Sequence, residues 1–377
     1  MRIVQVANFY SRASGGLRTT MEALADGYAR RGHEAILIVP DEGRALRRTD
    51  CPWGTLVQVP ARAIPRSGGY RAITDVDMLC TLLDEIRPDA LEVADRLTLR
   101  PLGWWASASG VPAVMWAHER VDGVLRAFTP PGMPHRLLAD AWNRSSMHRF
   151  DRIVATTAFA AEEFERIGAQ HVVRVPLGVD LTTFAPARRS DELRSTLLGG
   201  DSDVLIVTCT RLSKEKRPDL AVQTLQQLRQ RGVRARLVVV GTGAWESKVR
   251  RMAVGLPVTF LGHVADRHHL AAMLASADAV LSPGPIETFG LAALEAMASG
   301  TPVVASRTSA LVEIASGASG QSVAPEPSAF ATAVMALLLR PTEGRRRAAR
   351  QRAEEFPWSR TISAMLDLHG DRVSAWV

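Results

Sequence analysis

The 377-residue sequence is short of several things, and each shortage excludes something. It holds three cysteines, Cys51, Cys80 and Cys209, widely spaced and odd in number. They give no disulfide framework and no metal-ligand spacing, which points to a reducing cytoplasm. No apolar run approaches the roughly 18 residues of a membrane span. The opening MRIVQVANFY reads as a strand and lacks the apolar core and small-residue cleavage site of a secretory leader, so a cytoplasmic location is expected. Lysine is scarce: only Lys214, Lys216 and Lys248 stand among 46 basic residues. Aromatic residues make up 6 % and are not interleaved with basic ones as a base-stacking surface requires. No nucleic-acid partner is therefore expected, and the net charge of +7 is left for anionic lipid or a nucleotide sugar.

What is present is enough apolar sequence, 46 %, for two substantial cores. The most informative stretch is AVLSPGPIETFGLAALEAMASGTPVVAS, residues 279–306. An apolar run is followed by a Pro- and Gly-rich turn, a helical segment over 289–299, a stop at Gly300 and Pro302, and a second apolar run. That is a strand–loop–helix–strand unit of a parallel sheet. Two carboxylates mark it. Glu287 precedes the helix, where the dipole of the peptide groups favours an acid in any protein. Glu295 sits eight residues on, among Leu and Ala, where a carboxylate is costly without a partner. A spacing of eight is a little over two helical turns, so a Glu at the loop mouth and one further in fall on roughly one side.

The chain also opens as strand, Gly-rich loop, helix and strand. Leu17, Met21, Leu24, Ala25 and Tyr28 recur at helical spacing after Gly15 and Gly16. Residues 43–73 read as loops around a short strand at 56–59. A helix over 76–86 and a strand over 90–93 follow, then the loop residues Asp95 and Arg96, then a strand over 111–116 that delivers His118. A His past a buried strand is by default a structural residue. Residues 123–150 interleave Arg126, Arg136, Arg144 and Arg149 with Leu125, Phe128, Met133, Leu137, Leu138, Trp142, Met147 and Phe150. Such a segment can lie on an anionic bilayer, but an ordinary helix packing its apolar side inward is the favoured reading. The Arg-rich run 340–352 reads as a solvated helix face. Residues 176–186 read as a linker, and 187–202 show no strand pattern. The second half restarts with a strand over 204–208 and the loop TRLSKEK, in which Arg211 and Lys216 can converge on one anion. A long helix follows from 218 to about 231.

These motifs resemble glycosyltransferase family 4, the large group of retaining GT-B enzymes. The resemblance is carried by the Glu-x7-Glu stretch ETFGLAALEAMASGTPVVAS, by RLSKEK, by the opening glycine-rich loop with its RGHE, and by the junction PLGVDLTTFAP. It implies an α/β architecture, GT-B, of two Rossmann-like doubly wound domains facing each other across a cleft. The N-terminal, acceptor-binding domain is expected over 1–180, with a terminal helix near 357–377, marked by FPWSR, packing back on it. The donor-binding domain is expected over 187–356. By the same resemblance Arg211 and Lys216 hold the donor diphosphate, Gly16 lends a backbone amide, and Glu295 takes the ribose hydroxyls. Glu287 takes hydroxyls of the transferred sugar, supported by amides around Phe289, Gly290 and Leu291, and His118 reaches that sugar from the other domain. Val264 and Asp266 belong to the loop GHVADR that meets the nucleotide base. Asp266 is either a helix cap or an acceptor for the N–H groups of guanine, which favours GDP over UDP.

Finer likeness, in MRIVQVANFY, SGGLRTT, GGYRA, PDALEVADRLTLR and AHER, is to GDP-mannose-dependent α-mannosyltransferases of bacterial envelope glycolipid synthesis. It implies acceptor contacts at Tyr10, Tyr70, Arg71, Asp95 and Arg96. The expected acceptor is a phosphatidylinositol- or glucuronosyl-diacylglycerol-type lipid, with peripheral attachment to the inner face of the plasma membrane left open. The donor is a nucleotide sugar, GDP-mannose being favoured. No obligatory metal or other cofactor is expected, since no Asp-x-Asp element stands in a donor-binding context. The motif argues against a sugar-nucleotide epimerase, which lacks the Glu-x7-Glu spacing. A glycosidase-like double displacement is set aside because Glu295 belongs to the ribose, which leaves no nucleophile. The alternatives kept are a UDP-sugar-dependent transferase acting on a soluble acceptor, and a non-catalytic nucleotide-sugar binder.

Overall fold

The computed structural model describes residues 1–11, 15–64, 69–130 and 132–370. Ser14, Gly68 and residues 371–377, used in the sequence reading, lie outside the described residues, as does the side chain of Phe128. The chain divides into two compact units: Met1–Leu177 with the terminal segment from Trp358, and Gly178–Pro357. Among the described residues no helix is long and apolar enough to cross a membrane.

The first unit holds β1 (Arg2–Val6), β2 (Glu34–Asp41), β3 (Arg47–Cys51), β4 (Gly54–Pro60), β5 (Arg62–Ala63), β6 (Arg71–Ala72), β7 (Ala90–Val93), β8 (Ala113–Ala117), β9 (Arg152–Ala155) and β10 (Val172–Arg174). Its main sheet runs β10-β9-β8-β7-β1-β2-β4-β3, parallel except that β3 is antiparallel to β4; β5 and β6 form a separate ribbon. The strands are short Val-, Ile- and Ala-rich runs because both faces are covered. Val4, Val6, Leu91, Val93 and Met115 point into one core. The alternate residues Gln5, Glu92 and Trp116 point to the other face, toward the helices Gly16–Ala29 and Trp358–Gly370. That face is polar yet buried. The Glu92 carboxylate accepts from Gln5 Nε2 (3.0 Å), Tyr28 Oη (2.5 Å) and Trp116 Nε1 (3.1 Å), and pairs with His369 Nε2 (2.8 Å). Burial pushes the Glu92 carboxyl up, but the contacts to His369, Tyr28 and Gln5 outweigh it and hold the group below its ordinary range.

The reading of 43–73 as loops around one short strand is corrected. Residues 47–60 form the β3–β4 hairpin, and β4 joins the sheet beside β2. β3 is RRTDC on an exposed edge, with no apolar alternation to betray it. In the helix His135–Met147 the buried residues are Ala139, Asn143 and Ser146, whereas Leu137 is 70 % and Leu138 43 % exposed. The expectation that the apolar side of segment 123–150 packs inward holds for Phe150, which is buried, and fails for Met133, Leu137 and Leu138, which are exposed. The inward side of the helix is small and polar because it closes over Arg96.

The second unit is a six-stranded parallel sheet, β13-β12-β11-β14-β15-β16. Its strands are β11 (Val204–Cys209), β12 (Ala235–Val240), β13 (Val258–Gly262), β14 (Ala279–Ser282), β15 (Val303–Ser306) and β16 (Gly320–Val323). Residues 187–202, which carry no strand pattern, include a helix Asp191–Leu198 capped by Ser190. The loops after β11 and β12 are locked backbone to backbone: Thr210 N donates to Val240 O (3.0 Å) and Leu212 N to Thr242 O (2.9 Å). Gly241, at φ +125°, allows this approach, for a Cβ there would lie 2.0 Å from Thr210 O. Gly241→Ala is therefore expected to lower Tm by several degrees, about 1–3 kcal/mol of backbone strain, whereas Gly200→Ala, with open space around it, leaves Tm nearly unchanged. Thermal melts of the two variants side by side check this.

Candidate active site

Both sheets reverse direction once. In the second unit the chain moves from β11 outward to β13, then returns to β14 on the other side of β11. Crossovers leave β11 and β14 toward opposite faces, which opens a crevice at their carboxyl ends where ligands of α/β folds bind. Sequence and topology meet there. Lys216, after β11, and Glu287, after β14, form an ion pair with Nζ and Oε1 2.6 Å apart. Gly284 lies beside both: a Cβ on it would meet Glu287 Cγ and Lys216 Cα at 3.5 Å. Arg211 rises from the same loop as Lys216, its Nη2 3.0 Å from Glu215 Oε1. Ser213 Oγ donates to that same oxygen at 2.6 Å.

Glu287 and Glu295 do not share one helical run. The helix is Leu291–Ala298, and Gly290 before it sits in the left-handed region at φ +84°. Glu287 lies in the loop before the helix, where the sequence places it, and the helix starts at Leu291 rather than at Phe289. A Cβ at Gly290 would lie 2.6 Å from Leu311 Cδ2, so glycine is needed for space as well as conformation. Phe289 is buried edge-on against Phe356, and Leu291 is buried too. What these positions offer a ligand is the backbone N–H groups of the helix start, which have no intrahelical partner.

Glu295 is buried and bound by Arg267, Nη2 to Oε1 at 2.8 Å. Burial pushes its carboxyl up against the pull of Arg267. Arg267 lies over the ring of Phe184, 4.7 Å from its centroid. Neither partner was singled out by sequence reasoning; the available signal was that Arg267 ends the GHVADR loop. Asp266 is exposed and caps the helix Arg267–Ser276, Oδ1 accepting from His268 N (2.8 Å) and His269 N (3.2 Å). These amides hold its carboxyl below the ordinary range. Val264 lies half-buried in the same loop. Cys209, closing β11 beside Glu295, has its thiol pushed up to about 12 by burial and by that carboxylate, which makes it inert.

In the first unit the reversal falls between β1 and β7. Asn8 stitches it shut: Nδ2 donates to Asp95 Oδ2 (2.9 Å) and Thr98 Oγ1 (2.7 Å), and Oδ1 accepts from Ile73 N (2.8 Å). Asp95 also accepts from the amides of Leu97, Thr98 and Leu99. Arg96 is buried, its Nη1 2.9 Å from Asn143 Oδ1 and 3.5 Å from Glu163 Oε2. The Asp95 and Arg96 side chains therefore hold the loop together. Tyr10 donates to Glu22 Oε1 (2.6 Å), which also takes Arg18 Nε (2.9 Å). Tyr70 packs edge-on against Phe9, and Arg71 Nη1 donates to Ala61 O (2.9 Å), so these two ride on the β5–β6 ribbon. Gly16 opens the helix Gly16–Ala29, whose first turn contains no acid. Among the described residues no cluster of three His, Cys, Asp or Glu could hold a metal ion.

His118 stacks on Trp116, centroids 5.2 Å apart and planes 8° off parallel. Burial, aided by Arg96 and opposed by Glu92, lowers its imidazole to about 4. The imidazole is neutral at physiological pH. Since an unfolded His titrates near 6.5, only the unfolded chain takes up this proton between about pH 6.5 and 4. Stability should fall as the pH drops through that window, and His118→Asn should remove part of the fall. Urea midpoints at about pH 7 and pH 5 for both proteins measure it.

The family model described as Glycosyltransferase Family 4 matches residues 14–183, and the one described as Glycosyl transferases group 1 matches residues 203–340. The chain is 48 % identical over 368 residues to the GDP-mannose-dependent alpha-(1-6)-phosphatidylinositol dimannoside mannosyltransferase of Mycobacterium tuberculosis (strain H37Ra), covering 97 % of this chain and 95 % of the relative. It is 31 % identical over 309 residues to a GDP-mannose-dependent alpha-mannosyltransferase of Mycolicibacterium smegmatis, covering 81 % and 79 %. Among solved structures, sucrose-phosphate synthase from Thermosynechococcus elongatus superposes with a TM-score of 0.79 at 18 % identity over 100 % of both chains, a likeness of fold alone. With two parallel-sheet units, each Rossmann-like, and relatives of this extent, the chain belongs to glycosyltransferase family 4 and has the GT-B fold.

Proposed function

We propose that this enzyme transfers mannose from GDP-mannose, with retention, to a phosphatidylinositol mannoside. The 48 % identity to a phosphatidylinositol dimannoside mannosyltransferase carries the choice of substrates. The Lys216–Glu287 pair at the β11–β14 crevice supports the choice of site. In the reaction the bond from the anomeric carbon to the diphosphate breaks, a bond to the acceptor oxygen forms on the same face, and the hydroxyl proton passes to the departing diphosphate oxygen. The departing GDP takes up negative charge, so the main demand is electrostatic. Arg211 and Lys216 supply cations, and the amides at Phe289, Gly290 and Leu291 supply oriented donors. On donor binding Lys216 turns to the diphosphate and Glu287 to mannose hydroxyls. Glu295, held by Arg267, meets the ribose, and Asp266 with the Val264 loop meets the base. Gly16 and His118 of the first unit serve the donor, while Tyr10, Tyr70 and Arg71 serve the acceptor. Asp95 and Arg96 act there through the loop they brace.

A lipid acceptor needs the enzyme at a bilayer. Leu137 and Leu138, with Met133 41 % exposed, stand beside Arg136 and Arg144 at one surface of the first unit. Apolar side chains rimmed by arginines suit an anionic leaflet, and this supports peripheral membrane attachment.

Two measurements test the reading. Glu287→Ala should cut mannosyl transfer by about a hundredfold or more while GDP still raises Tm. GDP should raise Tm more than UDP does; undiminished transfer in Glu287→Ala, or a preference for UDP, overturns the assignment. For the membrane face, Leu137→Glu with Leu138→Glu should weaken co-sedimentation with phosphatidylinositol vesicles yet leave transfer to a detergent-solubilised acceptor intact.

A further inference from the structure

The buried Glu92 carboxylate lies outside the loops that touch substrate, yet one of its contacts leads to them. Gln5 and Glu92 are paired across β1 and β7, and Trp116, two residues beyond the partner of Glu92 on β8, shares their face. All three are buried, with Tyr28 and His369 closing over them. The carboxylate divides its bonds. Oε1 takes Tyr28 and His369, which belong to the helices covering the sheet. Oε2 takes Gln5 and the Trp116 indole N–H. Trp116 in turn is the plate on which His118 lies. His118 follows Trp116 by two, so a strand end puts both rings on one side, but nothing in the strand fixes the indole rotation. The bond to Oε2 does so, and the ring plane of His118 follows the indole.

We infer that Glu92 is a positioning residue for His118, acting through the Trp116 indole. The inference rests on the reading of His118 as a participant in transfer.

The two oxygens provide the control. Trp116→Phe removes a bond to Oε2 and keeps an aromatic plate; Tyr28→Phe removes a bond to Oε1 from the same carboxylate. Both should lower Tm. Only Trp116→Phe, and with it Glu92→Gln, should lower kcat, by about ten- to a hundredfold, the scale of misplacing a reacting group, with KM for GDP-mannose little changed. The double variant Glu92→Gln with Trp116→Phe should lose no more than the worse single one, as coupled residues do. If both single variants fold and keep the parent kcat, Glu92 is only a structural residue and the inference fails. An equal kcat loss in Tyr28→Phe also overturns it, because the effect then follows stability rather than the path to His118. His118→Ala separates the two readings: retained transfer there sinks the role of His118 itself, whereas lost transfer there beside an unaffected Glu92→Gln sinks only the positioning role. Should Glu92→Gln fail to fold, the comparison of Trp116→Phe with Tyr28→Phe decides alone.

Discussion

Parallel pairing is the constraint from which the sites of this protein follow. A parallel strand pair cannot be closed by a tight turn, so each crossover runs behind the sheet and starts its next strand from the same edge. The connections leaving the carboxyl ends of the strands are then free to vary, and where the strand order reverses a crevice is left between two of them. This chain builds that arrangement twice and uses it differently. At β1 and β7 the reversal is filled by the protein's own polar groups, Asn8 against Asp95 and Thr98. At β11 and β14 it is lined by a lysine and a glutamate that form an ion pair. One crevice is stitched closed by the hydrogen bonds of Asn8; the other carries a part-exposed ion pair.

The difference shows in how each carboxylate is treated. Glu92 and Glu163 are wholly buried, and each is satisfied by several donors from different elements. Removing one partner from such a group leaves a charge without compensation, which costs far more than the bond itself is worth. These acids fix structure. Lys216 and Glu287 keep part of each side chain in solvent, and a pair of that kind contributes little net stability. In the proposed donor site, breaking this pair so that a diphosphate takes the lysine and sugar hydroxyls take the glutamate costs correspondingly little. Glu295 lies between the extremes, buried but paired with an arginine that is itself partly exposed.

Legibility in the sequence followed the same physics. The helix Val76–Ile86 and the strand Ala90–Val93 were readable to the residue, because an amphipathic period starts at the Asp75 cap and a short apolar run is bounded by polar residues. The β3 strand was not, since an edge strand of Arg, Thr and Asp carries no hydrophobic signal. The burial of the helix His135–Met147 was not legible, for its buried face of Ala, Asn and Ser looks polar in sequence while its exposed leucines look like core. At the site, spacing marked Glu287, Glu295, Arg211 and Lys216. Their partners escaped: that Glu287 binds Lys216 and Glu295 binds Arg267 depends on residues 71 and 28 positions apart meeting, which no local pattern encodes.

Asp266 shows why two readings of one residue need not compete. As a cap it uses Oδ1 for two backbone amides, and those amides keep it ionised. They also hold the carboxylate in one orientation, at the end of a helix that would otherwise stabilise any nearby anion without direction. A carboxylate has two oxygens with roughly four acceptor sites, so the cap leaves Oδ2 available. The proposed contact to guanine needs an acceptor that is charged, exposed and fixed in direction; Asp266 is exposed, and capping supplies the charge and the direction. An uncapped aspartate at the same place would be mobile and would lose more side-chain entropy on reading a base. Preference for a guanine nucleotide would then depend on the cap, and the bland structural role would be the condition for the functional one.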